Sequence, residues 1–126
     1  MLGKTEAFSG YSVDDIPAAK EFYGETLGLE VSEEPAGLGL KLATGGAVFI
    51  YPKGEHHQPA TFTVLNFPVE DIDEAVGALT ERGVSFERYP DFDQSELGIA
   101  EPPEGRGPRI AWFKDPAGNI LSVLQS

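Results

Sequence analysis

The side chains able to do chemistry are few in this sequence and poorly spaced for it. Cysteine is absent, which excludes thiol redox chemistry, thiolate metal sites and a cysteine nucleophile. The only histidines, His56 and His57, are sequence neighbours. Adjacent side chains seldom converge on one ion, and a triad of two histidines and a carboxylate drawn from separate strands cannot be built from them. They read as a solvated pair in a linker. Ser9 and Ser122 have no neighbouring base to activate a hydroxyl. Asp91, Asp93 and Glu96 would serve acid–base chemistry only if burial drove their pKa values apart, and they sit in a stretch that reads as a solvated loop. Tyr11, Tyr51 and Tyr89 carry phenols, but tyrosines on sheets more often pack the ring and wet the hydroxyl. Gly37-Leu38-Gly39 and Gly45-Gly46 lack the spacing of a phosphate cradle. No catalytic residue, metal ligand or cofactor is assigned. What remains is aromatic: Trp112, the only tryptophan, offers a rigid face to a planar ligand, and Tyr89 and Phe92 lie where a long loop would close over it.

Elements that would position these residues come in two similar sets. Ser12 to Glu25 recurs fifty-six residues later as Pro68 to Glu81, with Val13/Val69, Asp15/Asp71, Ile16/Ile72, Ala19/Ala75 and Glu25/Glu81 identical. A repeat of this length implies two copies of one supersecondary unit. In the first copy, Phe8 to Val13 suits a strand, and Asp14/Asp15 ahead of Pro17 signals a helix start. Ile16, Ala19, Phe22, Tyr23 and Leu27 make one apolar stripe that stops at Gly28. Strands are predicted over Leu29 to Ser32, Leu38 to Ala43 and Ala47 to Tyr51, separated by Glu33 to Gly37 and by Thr44-Gly45-Gly46. Pro52 to Ala60 reads as a linker.

The second copy repeats the order. Thr61 to Phe67 is strand-like, Ile72, Ala75, Val76 and Leu79 form an amphipathic stripe closed by Arg82-Gly83, and Val84 to Tyr89 resumes the sheet. Pro90 to Pro108 is predicted as an extended loop with a short strand near Leu97 to Ala100. Arg109 to Phe113 and Ile120 to Leu124 form a hairpin about Asp115-Pro116-Ala117-Gly118-Asn119. The expected fold class is α+β: one domain over residues 1–126 made of two tandem βαβββ modules, about 5–53 and 61–125. A module of roughly 60 residues is marginal alone, so the two are expected to share one folded body.

Charge and hydropathy exclude whole classes of partner. The net charge of −12 and the lack of any Lys/Arg cluster argue against nucleic acid. The longest apolar run, Ala47 to Tyr51, falls far short of a membrane span, so the reading is a soluble, cytoplasmic protein with no membrane partner.

With these residues in hand, the chain resembles the vicinal oxygen chelate superfamily (glyoxalase I, bleomycin-resistance proteins, extradiol dioxygenases and fosfomycin-resistance enzymes). The carriers are Val13, Asp15, Ala19, Phe22-Tyr23 and Leu27-Gly28 at the front, and Phe113, Asp115-Pro116 and Gly118-Asn119 at the back. The resemblance implies curved mixed sheets enclosing a shared cleft, often in a homodimer whose modules pair within a chain or are exchanged between chains. Metal-using members place His, Gln or Glu on the first and last strands of each module. The matching positions here are Phe8, Val64, Ile50 and Ser122, of which only Ser122 carries a donor atom. The expected pocket wall is Phe8, Val48, Ile50, Val64, Trp112, Ile120 and Ser122, with Tyr89 and Phe92 above it. The function this implies is metal-independent sequestration of a small hydrophobic or aromatic molecule in an inter-module pocket, as in bleomycin-resistance proteins. The alternatives are a glyoxalase I-like lyase or isomerase with a non-standard site, and a regulatory protein whose cleft is filled by its own side chains.

Overall fold

The computed structural model describes residues 1–103 and 106–126. The chain divides into two compact units, Met1–Gln58 and Pro59–Ser126.

The first unit runs β1 (Ser9–Val13), α1 (Ile16–Glu21), β2 (Glu30–Glu34), β3 (Gly37–Lys41) and β4 (Ala47–Pro52). Its sheet has the order β1-β4-β3-β2, with β1 parallel to β4 and the other pairs antiparallel. Asp15 caps α1, its Oδ1 accepting from the Ala18 N–H at 3.1 Å, with a proline in the first turn. The helix then widens into a π-type turn over Phe22–Thr26 and ends at Gly28, whose φ of 76° suits glycine. Tyr23, fully buried on that turn, shares a 2.8 Å hydrogen bond with the hydroxyl of Tyr11 on β1. This bond identifies the sheet face that meets the helix. Val13, Leu38, Leu40, Val48 and Ile50 lie buried on it with Tyr11.

The β2–β3 turn and the linker differ from expectation. Glu33 and Glu34 belong to β2, pairing with Leu38 and Gly37, so the turn tightens to Pro35-Ala36. The expected linker carries a short 3-10 turn over Gly54–His56.

The second unit repeats the path with β5 (Thr63–Pro68), α2 (Ile72–Glu81), β6 (Arg109–Lys114) and β7 (Ile120–Gln125), ordered β5-β7-β6. Asp71 caps α2 as Asp15 caps α1, its Oδ1 accepting from the Glu74 N–H at 3.1 Å. The repeated aspartate is thus a repeated cap. Ile72 and Val76 of α2 are fully buried, as are Ala111, Phe113 and Leu121, with Val123 nearly so; they mark the helix-covered face.

The predicted strand Val84 to Tyr89 shrinks to a bridge between Phe86 and Phe113, with the Glu87 N–H donating to the Trp112 carbonyl at 2.8 Å. The reason is a side chain. Gln94 Nε2 donates to the Glu87 carbonyl at 2.9 Å, and Gln94 Oε1 accepts from the Tyr89 N–H at 2.8 Å. Ladder groups satisfied in this way cannot extend the sheet. The short strand expected near Leu97 to Ala100 is likewise one residue wide, Ala100 bridging Gln94 and Ile110. Both modules keep the βαβββ path, and the second strand of the second module survives only as this bridged edge. Within the expected loop Pro90 to Pro108, Glu104 and Gly105 lie outside the described residues.

Among the described residues no helix is long and apolar enough to cross a membrane.

Candidate functional site

On the second unit, the face opposite α2 carries a row of four residues across the sheet. Asn66 pairs with Ser122, Ser122 with Trp112, and Trp112 adjoins Glu87. Cross-strand neighbours share a face, so these side chains stand side by side. Ser122 is fully buried, and its hydroxyl donates to Asn66 Oδ1 at 2.6 Å. Lys114, two residues beyond Trp112, reaches Glu87 Oε1 at 3.5 Å.

Trp112 is the centre of an aromatic group. Its ring centroid lies 5.4 Å from Tyr89 in an edge-to-face contact and 5.2 Å from Phe92 at a 34° tilt, while Tyr89 and Phe92 are 6.3 Å apart. These separations fall in the favourable range for aromatic pairs. Phe92 remains 52% exposed although it touches the cluster. An open hollow of ≈ 450 Å³ is lined by two of these rings, Phe92 and Trp112, together with Ile110, the prolines at 102, 103 and 108, and the carboxylates Asp91, Asp93 and Glu101.

Local chemistry fastens the loop that carries Phe92. Gln94 ties it to Tyr89, Glu87 and the Gly98 carbonyl, and the Arg88 guanidinium donates to the carbonyls of Ser95 and Glu96. Burial and the carboxylate of Glu87 push the Tyr89 phenol above its ordinary pKa, with Lys114 opposing. Tyr89 therefore presents a neutral hydroxyl throughout the physiological range.

The expected pocket positions separate. Trp112, Tyr89 and Phe92 come together, with Ser122 beside Trp112 and Ile120 two residues along the same strand face. Val64 lies where β5 shifts register between Thr63 and Leu65. Phe8 and Val48 line a different hollow, ≈ 360 Å³ on the first unit with Ala47, Phe49 and Pro35, and Phe8 is 68% exposed.

Ile50 is fully buried on the helix-covered face of the first sheet, and Val48 shares that face. Gly10 is the repeat partner of Asn66 and pairs with Phe49, so Phe49 corresponds to Ser122. A slip of one residue moves a strand side chain to the other face of a sheet. The opposite face of the first unit therefore carries Phe49 and Tyr51, whose rings stack with centroids 6.2 Å apart at 22°.

His57 also differs from its expected solvated state. It is half-buried, and its Nδ1 lies 2.7 Å from Ser12 Oγ on β1. Gln94, Arg88, Asn66 and Phe49 were not singled out in the sequence. Only Asn66 and Phe49 had a usable signal, their placement in the repeat.

The donor set does not fit a divalent cation. Phe8, Val64, Phe49 and Ile50 offer no ligand atom, and the Ser122 hydroxyl is committed to Asn66. Among the described residues no three His, Cys, Asp or Glu side chains gather in a metal-binding group. Three or more such ligands are the norm for a protein-held transition metal.

Comparison with known proteins places this geometry. The chain is 26% identical to the uncharacterized protein YraH of Bacillus subtilis (strain 168), over 90% of this chain and 91% of that protein. It superposes with a TM-score of 0.65 on TnmS3, an antibiotic binding protein from Streptomyces sp. CB03234, at 23% identity with 97% of each chain covered. On the fosfomycin resistance protein FosX of Listeria monocytogenes the TM-score is 0.71, at 14% identity over 98% of this chain and 93% of that one. These two likenesses are likenesses of fold. A family match spans residues 7–123, and by it the chain belongs to the Glyoxalase/Bleomycin resistance protein/Dioxygenase superfamily.

Proposed function

We propose that this protein binds and sequesters a small hydrophobic or aromatic molecule without a metal ion, and that Trp112 is its principal anchor. The observation that carries this reading is the group Tyr89, Phe92 and Trp112 beside an open hollow, with Phe92 left half-exposed on a fastened loop. Exposed aromatic surface around a concavity is the usual wall of a small-molecule site. The family takes in bleomycin resistance proteins, and TnmS3, which shares the fold, is an antibiotic binding protein. A donor set that does not fit a metal is consistent with binding by contact and stacking.

Thermal-shift titration with planar aromatic compounds tests this, because a ligand selective for the native state raises the melting temperature. Trp112→Ala is expected to weaken binding roughly 2- to 12-fold through the lost aromatic contact, and Trp112→Phe to retain part of it. Equal affinity in wild type and Trp112→Ala would remove Trp112 from the site and the reading with it.

A further inference from the structure

The hollow on the second unit sets carboxylates beside rings in a way that bears on the charge of its ligand. Asp91 and Asp93 flank Phe92 in sequence, and all three line the same hollow as Trp112. The third carboxylate, Glu101, is already paired, its Oε1 lying 2.9 Å from Arg109 Nη2. Among the described residues, Asp91 and Asp93 have no cationic side chain within ion-pairing distance. The chain as a whole carries −12, so no surplus of basic residues is at hand to neutralise them.

A ligand laid on Phe92 and Trp112 displaces water from these two carboxylates. An uncharged ligand gives nothing back for that desolvation, and an anion adds repulsion. A cation recovers it as a charge-assisted contact and gains further from the electron-rich ring faces. Resting on the binding reading above and narrowing it, we infer that the hollow selects organic cations: an aryl body lies against Trp112 and Phe92, and an ammonium or amidinium group is directed to Asp91 and Asp93. The two carboxylates supply the sign of the selection, and the rings supply contact area.

Three probes that share a naphthyl body test the inference by calorimetric titration at low salt: naphthylmethylammonium, naphthylmethanol and naphthylacetate. The cation is expected to bind about tenfold tighter than the alcohol, with the anion weakest. The advantage of the cation should shrink as salt rises. In the double variant Asp91→Asn/Asp93→Asn the ratio of cation to alcohol affinity should fall towards one. Replacement by asparagine keeps the size of the side chain, and a melting temperature near that of wild type verifies the fold. Alcohol and cation binding equally in the wild-type protein overturns the charge selection and leaves the hydrophobic-binding reading standing. Failure of all three probes to bind overturns both.

Discussion

Gln94 stands in for a strand beside Tyr89. Its Oε1 accepts from the Tyr89 N–H at 2.8 Å while its Nε2 donates to the carbonyls of Glu87 and Gly98 at 2.9 and 2.8 Å. One amide thereby closes the sheet edge and fixes the loop on which Phe92 meets Trp112. Gln94→Leu, similar in size, leaves these backbone groups without partners and is expected to cost about 1–3 kcal/mol. Urea denaturation measures the cost, and aromatic ligands should weaken in the same variant. A stable variant with wild-type affinity would mean that Phe92 is held by something else.

Asp115 organises the β6–β7 turn from inside. Only 4% exposed, it accepts through Oδ1 from the Ala117 and Asn119 N–H groups at 3.0 and 2.8 Å, and its Oδ2 accepts from Asn119 Nδ2 at 3.1 Å. Asn119 in turn accepts from the Ala60 N–H at 3.0 Å. Asp115→Ala orphans several buried donors at once, and an expected loss of about 3 kcal/mol follows. Chemical denaturation of the variant gives the value directly, and a change within 0.5 kcal/mol, the range typical of surface sites, would contradict this role.

Tyr89 links the site to alkaline pH. Its phenol is raised above the ordinary value of 10.0, chiefly by burial and then by Glu87. A folded pKa above the unfolded one means that the stabilising contribution is complete below the unfolded value and is lost as pH rises through the folded one. Ultraviolet titration of the wild type minus that of Tyr89→Phe should show Tyr89 ionising above the value of a free phenol. Glu87→Gln is expected to lower the Tyr89 value in part, leaving the share due to burial. An unchanged titration would assign the whole shift to burial.

Arg109 anchors the first turn of α2 to β6. Its Nη1 lies 3.0 Å from Asp73 Oδ2, and this hydrogen bond is the main reason the Asp73 carboxyl is held below its ordinary value. The contribution to stability is therefore present above the unfolded pKa and lost as pH falls through the folded one. Because both groups meet solvent, the effect on stability is small and screened by salt. Carbon-detected NMR titration of Asp73 is expected to move upward in Arg109→Gln, and no movement would dissociate the pair in solution.

Much of this architecture was legible because local chemistry repeats. Asp15 and Asp71 announced both helices, and Gly45 and Gly118, at φ 93° and 84°, announced both hairpins. The facing of β4 was not legible. Ala47 to Tyr51 is apolar without a break, so alternation gave no phase, and only the helix behind the sheet decides that Ile50 turns inward and Phe49 outward. Val84 to Tyr89 looked like a strand by its own pattern. Its ladder groups were claimed by Gln94, a residue in an acidic loop with nothing in its neighbourhood to advertise the role. The Trp112 cluster was partly legible, since three rings on a strand and its adjoining loop are visible in sequence, while their 5.2 to 6.3 Å spacing required the fold.

The most direct test is NMR shift mapping of the isotope-labelled protein titrated with naphthylmethanol, an uncharged aryl probe. Saturable shifts are expected, centred on the Trp112 indole N–H and the amides of Phe92 and Ile110. Shifts confined to other surfaces, or none at millimolar probe, would contradict it.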